Sequence, residues 1–160
     1  MREKTPEPRC LILACGNPLR GDDGAAWRLA ELAQPQLPSS VRVILQQQWT
    51  PELAEDIARA NAALFVDCSL AAQPGSVTLE SVTAATAFPS FLSHHVDAAS
   101  LLRLSESLYG LVPATANLLL IGAFSLEHTE ELSPAVKAAM PKALELLLGW
   151  ARNQTEDRPI

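Results

Sequence analysis

Three short stretches of this chain carry side chains able to bind a metal ion or move a proton. They are Gly16-Asn17-Pro18-Leu19-Arg20-Gly21-Asp22-Asp23-Gly24, with its adjacent acids, then Asp67-Cys68-Ser69, and then Ser93-His94-His95. Two carboxylates and an imidazole suit a borderline divalent ion such as nickel or zinc, which accepts mixed nitrogen and oxygen ligands. The three stretches lie far apart in sequence, so only a fold could bring them together. Each also has a local reading. An acidic pair at a helix start complements the positive end of the dipole, an Asp after a strand is a common turn residue, and a His-His pair before a helix is commonly solvated. His128 stands in the charged turn Glu127-His128-Thr129-Glu130-Glu131 and reads as exposed.

The elements that must position these residues follow from alternating short apolar runs and amphipathic stretches, the pattern of strands interleaved with crossover helices. Leu11 to Ala14 reads as a buried strand, and a helix is expected from about Asp22 to Ala33. Val41 to Leu45 is a second strand, followed by a helix capped by Thr50 with Pro51 in its first turn. The strand Ala63 to Val66 delivers Asp67 at its carboxyl end. Ser76 to Glu80 alternates as a half-exposed edge strand would. A helix from about Asp97 to Tyr109, a buried strand from Asn117 to Ala123 and a final helix from Ser133-Pro134 to about Ala151 complete the series. This predicts an α/β fold, a single three-layer αβα domain around a mostly parallel sheet of about five strands. The domain is expected over residues 9–151, between an N-terminal tail (1–8) and a disordered C-terminal tail (152–160). In such open sheets ligands bind beyond the carboxyl ends of the strands, where all three polar stretches fall.

Composition narrows the classes. The chain has 160 residues, 48% of them apolar and 19% charged, with a net charge of −6 and no cluster of Lys or Arg. One core can be buried, and the surface lacks the concentrated positive charge that nucleic acid or anionic membrane requires. The apolar run Cys10–Cys15 is too short for a signal peptide or membrane span. Three cysteines without a C-x-x-C read as core thiols in a reducing compartment. A cytoplasmic monomer is the expectation.

The first stretch resembles the G-N-x-L-x-x-D-D/E-G signature of the [NiFe]-hydrogenase maturation endopeptidases. The likeness continues in order through Val66-Asp67, Ser93-His94-His95, Leu101-Leu102, Ile121-Gly122 and Leu132-Ser133-Pro134, over roughly residues 9–150. It implies a protease that removes a C-terminal peptide from the hydrogenase large-subunit precursor once its metal centre is loaded. It implies nickel contacts from Asp23, Asp67 and His94, with nickel arriving on the substrate and other divalent ions able to take its place in vitro. Asn17 and Asp22 are implied as substrate contacts. His94 is preferred over His95 because the family histidine precedes the paired apolar residues by seven and eight positions. The attacking group is not readable. Ala14 and Ala26 stand where the family often has glycine, and Gln47-Gln48-Trp49-Thr50 replaces a glycine-rich loop, filling space that glycines leave open.

Two other readings fit parts of the pattern. A receiver domain also uses an acidic pair and a later Asp. It places the pair directly on the first strand, however, and needs a lysine after the last, whereas the only lysines here are Lys4, Lys137 and Lys142. A non-catalytic adaptor of the same fold would bind the precursor's tail without cutting it.

Overall fold

A computed structural model of the protein describes residues 10–86 and 96–156. Five strands, β1 (Cys10–Cys15), β2 (Val41–Gln46), β3 (Ala62–Ser69), β4 (Val77–Ser81) and β5 (Thr115–Gly122), form one sheet in the order β2-β1-β3-β5-β4. All neighbours are parallel except β4, which runs antiparallel to β5. The helices are α1 (Ala25–Ala33), α2 (Leu53–Arg59), α3 (Ala98–Tyr109) and α4 (Pro134–Thr155). The expected αβα architecture is observed.

Strand composition explains the layering. β1 and β3 are apolar at nearly every position because helices cover both sheet faces. On one face Ile12, Ala14, Leu64, Val66, Leu119 and Ile121 pack against Leu29 of α1 and Val136, Ala143 and Leu147 of α4. On the other, Leu11, Leu13, Ala63 and Phe65 pack against Leu53 and Ile57 of α2 and Leu101 and Leu102 of α3. β4 alternates, with Thr78 and Glu80 exposed, as suits the sheet edge it occupies.

Two boundaries differ from expectation. Helix α2 starts at Leu53, and Thr50 does not cap it with its side chain. The chain enters through tight turns, Leu53 N–H donating to the Thr50 carbonyl at 3.1 Å and Ala54 N–H to that of Pro51 at 3.1 Å. Helix α4 continues to Thr155, past its expected end near Ala151. No glycine or proline interrupts the chain there, and the Thr155 hydroxyl donates to the Ala151 carbonyl at 2.8 Å. Asp97 does cap α3, accepting from Ser100 N–H at 2.7 Å, and Ser133 caps α4. Each cap leaves one fewer buried N–H without a partner.

The chain passes from β1 outward to β2, then back across β1 to β3. The loops leaving β1 and β3 therefore diverge, and a crevice opens between them at the carboxyl ends of the strands.

Candidate functional site at the carboxyl ends of β1 and β3

The loop after β1 folds tightly upon itself. Gly16 takes φ +144°, and a Cβ there would lie 1.9 Å from the Asp23 carbonyl oxygen. At Gly24 a Cβ would lie 2.6 Å from Pro18 Cα. Only glycine permits either approach. Between them the Asn17 side-chain oxygen accepts from Leu19 N–H at 3.0 Å, and Asn17 N–H donates to Asp23 Oδ2 at 2.9 Å. The motif thus holds the Asp23 carboxylate beside the end of β1.

Asp22, which the resemblance implies as a substrate contact, ties two loops together. It is fully buried, and its carboxylate accepts four hydrogen bonds from the β5–α4 connection. Oδ1 takes Ser133 N–H at 2.7 Å. Oδ2 takes Phe124 N–H at 2.8 Å, Ser125 N–H at 3.1 Å and the Ser133 hydroxyl at 2.8 Å. A carboxylate committed in this way is turned away from solvent. Burial alone would raise its pKa, but the bonds from Ser133, Phe124 and Ser125 outweigh that and hold it below the usual value. Nor does it serve as a helix cap. Asn17 likewise spends its side-chain oxygen within the turn.

Asp67 follows Val66 at the end of β3, with its Oδ1 accepting Cys68 N–H at 2.8 Å and the Cys15 thiol at 3.4 Å. Strand alternation puts Cys15 and Asp67 on the sheet face covered by α2 and α3, the side on which α3 begins. Asp23 and Asp67 both line a crevice of about 410 Å³, together with Cys15, Gly16, Arg20, Gln47, Gln48, Trp49, Cys68, Val96, Asp97 and Leu126. His94 and His95 lie outside the described residues. Val96, the first described residue after them, lines this crevice. Among the described residues no three His, Cys, Asp or Glu side chains form a metal-binding group.

Trp49 lines the crevice with Gln47 and Gln48, but most of its ring is turned into the core. It is 7% exposed and packs edge-on against Phe65, ring centroids 5.3 Å apart, within the core under α2 and α3. Cys15, Arg20, Asp97 and Leu126 were not singled out from sequence. Strand alternation gave a signal for Cys15 alone, once the register of β1 on β3 is known.

The family model described as HycI, hydrogenase maturation protease, matches residues 17–150. The chain belongs to the hydrogenase maturation protease family. As a family member it is an endopeptidase. No curated protein sequence matches it closely enough to count as a relative. Among solved structures, the hydrogenase maturating endopeptidase HybD from E. coli is similar at TM-score 0.74 and 24% identity, covering 92% of this chain and 94% of that one. A hydrogenase 2 maturation peptidase from Thaumarchaeota archaeon SCGC_AB-539-E09 gives 0.63 and 25%, covering 89% and 97%. The maturation protease HycI from Thermococcus kodakarensis KOD1 gives 0.68 and 21%, covering 93% and 96%.

Electrostatically, the crevice of this maturation protease is acidic. Among the described residues, Asp23, Asp67 and Asp97 line it against the single cation Arg20. The two neighbouring thiols register that field. Burial, then Asp67 and Asp23, push the Cys15 pKa far up. Burial, then the charges of Asp22, Asp67 and Asp23, push Cys68 up to about 12. Both cysteines therefore stay protonated at neutral pH and are poor nucleophiles. Negative potential of this kind attracts a cation and disfavours a thiolate. Among the described residues no helix is long and apolar enough to cross a membrane.

Proposed function

We propose that this protease removes the C-terminal extension of a [NiFe]-hydrogenase large-subunit precursor after nickel insertion, and that it recognises the inserted metal. The observation that carries the reading is the pair of acids, Asp23 and Asp67, brought from two separate strand ends into one acidic crevice. Asp23, Asp67 and His94, or His95 in its place, would engage nickel already held by the precursor, so the metal belongs to the substrate. The donor set fits, since carboxylate and imidazole suit nickel. Bound there, the ion can polarise an amide carbonyl or water. The protein's part is to orient the loaded precursor by these side chains and to hold its tail along the crevice. Membership of a protease family sets aside the receiver reading, and no feature of the site favours a non-cutting adaptor.

The test incubates the protein with nickel-loaded and nickel-free precursor and measures the released tail by mass spectrometry. Release from the loaded form alone is expected. Asp23→Asn and Asp67→Asn should keep the fold, since both acids are part-exposed, yet slow release by more than about a hundredfold, beyond the usual cost of losing an outer ligand partner. Equal cutting of both precursors would refute metal recognition. Wild-type rates from either variant would make that carboxylate structural.

A further inference from the structure

Three large apolar side chains stand exposed around the acidic crevice: Leu19 at 57%, Leu70 at 57% and Phe124 at 66%. Each lies one or two residues from a crevice-lining residue, namely Arg20, Cys68 and Leu126. They sit on separate loops after β1, β3 and β5, and the loops are tied together. Phe124 N–H donates to the Asp22 carboxylate at 2.8 Å, and Ala123 N–H donates to the Ser69 carbonyl at 2.9 Å. The three side chains are thus carried on one stapled rim and not on independently moving tips. Single exposed leucines need no explanation, but an apolar group fixed around a polar concavity has the anatomy of a binding surface.

We infer that Leu19, Leu70 and Phe124 form a docking collar that seats on the folded body of the precursor around the point where its tail leaves, with Phe124 as the anchor. This rests on the function proposed above. A crevice of about 410 Å³ holds only a short stretch of chain. If the acids reach a metal embedded in a folded protein, that protein's surface must meet the surrounding rim. The matching surface is apolar and encircles a cationic, metal-bearing centre, the complement of an apolar rim around Asp23 and Asp67. A second exposed apolar group, Leu108, Tyr109, Leu111 and Val112, lies between α3 and the start of β5, at the opposite end of the sheet, and supplies a control.

The experiment uses nickel-loaded full-length precursor with wild type, the single variant Phe124→Ser, the triple variant Leu19→Ser/Leu70→Ser/Phe124→Ser, and the control Leu111→Ser. KM and kcat for tail release, Kd by titration calorimetry, thermal melting and sedimentation are measured on each. The collar predicts a KM and Kd raised on the order of tenfold or more in the triple variant, as truncation of a central aromatic anchor does. Its kcat at saturation should be kept, Phe124→Ser should show part of the effect, and Leu111→Ser should match wild type. Wild-type KM and Kd in both rim variants, with wild type active, would overturn the collar and leave the function standing. Loss of kcat without change in KM would also overturn it, as would a wild-type dimer dissociated by the rim substitutions with KM unchanged, since the occupant would then be a second copy. If wild type neither binds nor cuts the precursor, the function falls and the collar with it. Should the triple variant melt early, Phe124→Ser alone decides.

Discussion

Replacing Asp22 by Asn changes one atom and tests whether this acid is a structural tie. The carboxylate receives four donors, one on Oδ1 and three on Oδ2. An Asn does least damage with its oxygen at the Oδ2 position, where it keeps three of the four donors bonded. Its NH₂ then points at the N–H of Ser133, so one charge-assisted bond is lost and one buried donor is stranded, together about 2–3 kcal/mol. The three remaining bonds lose their charge, so the total comes to about 3 kcal/mol or slightly more. For a chain of this size that lowers Tm by roughly 6–12 °C. The effect should depend on pH. The folded-state pKa of Asp22 is depressed below its unfolded value, near 3.8. Its contribution is therefore complete above about pH 5 and is lost as the pH falls through the folded value. Thermal melts followed by circular dichroism, for wild type and Asp22→Asn between about pH 7 and pH 3, give the difference directly and cancel the other acids. The gap should be widest near neutrality and close in acid. A Tm shift below about 2 °C at pH 7, or a gap that does not shrink on acidification, would refute the tie.

Other expectations follow from the same geometry. Gly16→Ala drives a Cβ to within 1.9 Å of the Asp23 carbonyl at a positive φ, and should cost about 3 kcal/mol or more in urea unfolding while also displacing Asp23. Cys68, with its pKa near 12, should react with iodoacetamide at pH 8 at least about a hundredfold more slowly in the native protein than in urea, read by mass spectrometry. Trp49 is buried against Phe65, but among the described residues its indole N–H has no hydrogen-bond partner. Trp49→Phe should therefore cost less than about 1.5 kcal/mol, whereas Trp49→Ala should cost about 3–5 kcal/mol by denaturant titration. Equal losses would show that the N–H is bonded after all.

What could be read in advance follows how local the determining physics is. β1 and β3 declare themselves as unbroken apolar runs because both their faces are covered, and β4 by its alternation at the edge. Asp97 and Ser133 could be recognised as caps, since a cap bonds within three residues. The start of α2 was misplaced because Pro51 favours a turn as readily as a first helical position. Asp22 could not be read locally at all. Its partners lie 102 to 111 residues further along, and the neighbouring residues look like an ordinary acidic helix start. The placement of Asp23 and Asp67 in one crevice was legible because strand-end position follows from topology. The crevice-facing side of Cys15 was not, since it depends on the register between β1 and β3. The turn of most of the Trp49 ring into the core depends on Phe65 being opposite it, which no local pattern shows.

The staple on Asp22 also has a consequence in time. Synthesis delivers the crevice residues from Cys15 to Asp97 before Phe124, Ser125 and Ser133 exist. A growing chain short of Phe124 has none of the four donors that hold the buried carboxylate, and one short of Ser133 has only two. Until Ser133 at the start of α4 has been made, the Asp22 charge lacks two of its four donors, and the turn carrying Asp23 is held by its own short-range bonds and by backbone bonds to Gln46, Ser125 and Thr129. Long-range closures of this kind come late in folding. A nascent chain, or one truncated before Ser133, therefore carries the acids of the crevice without all four bonds that hold Asp22 beside them, and the loop closes only once the chain through Ser133 is free to fold.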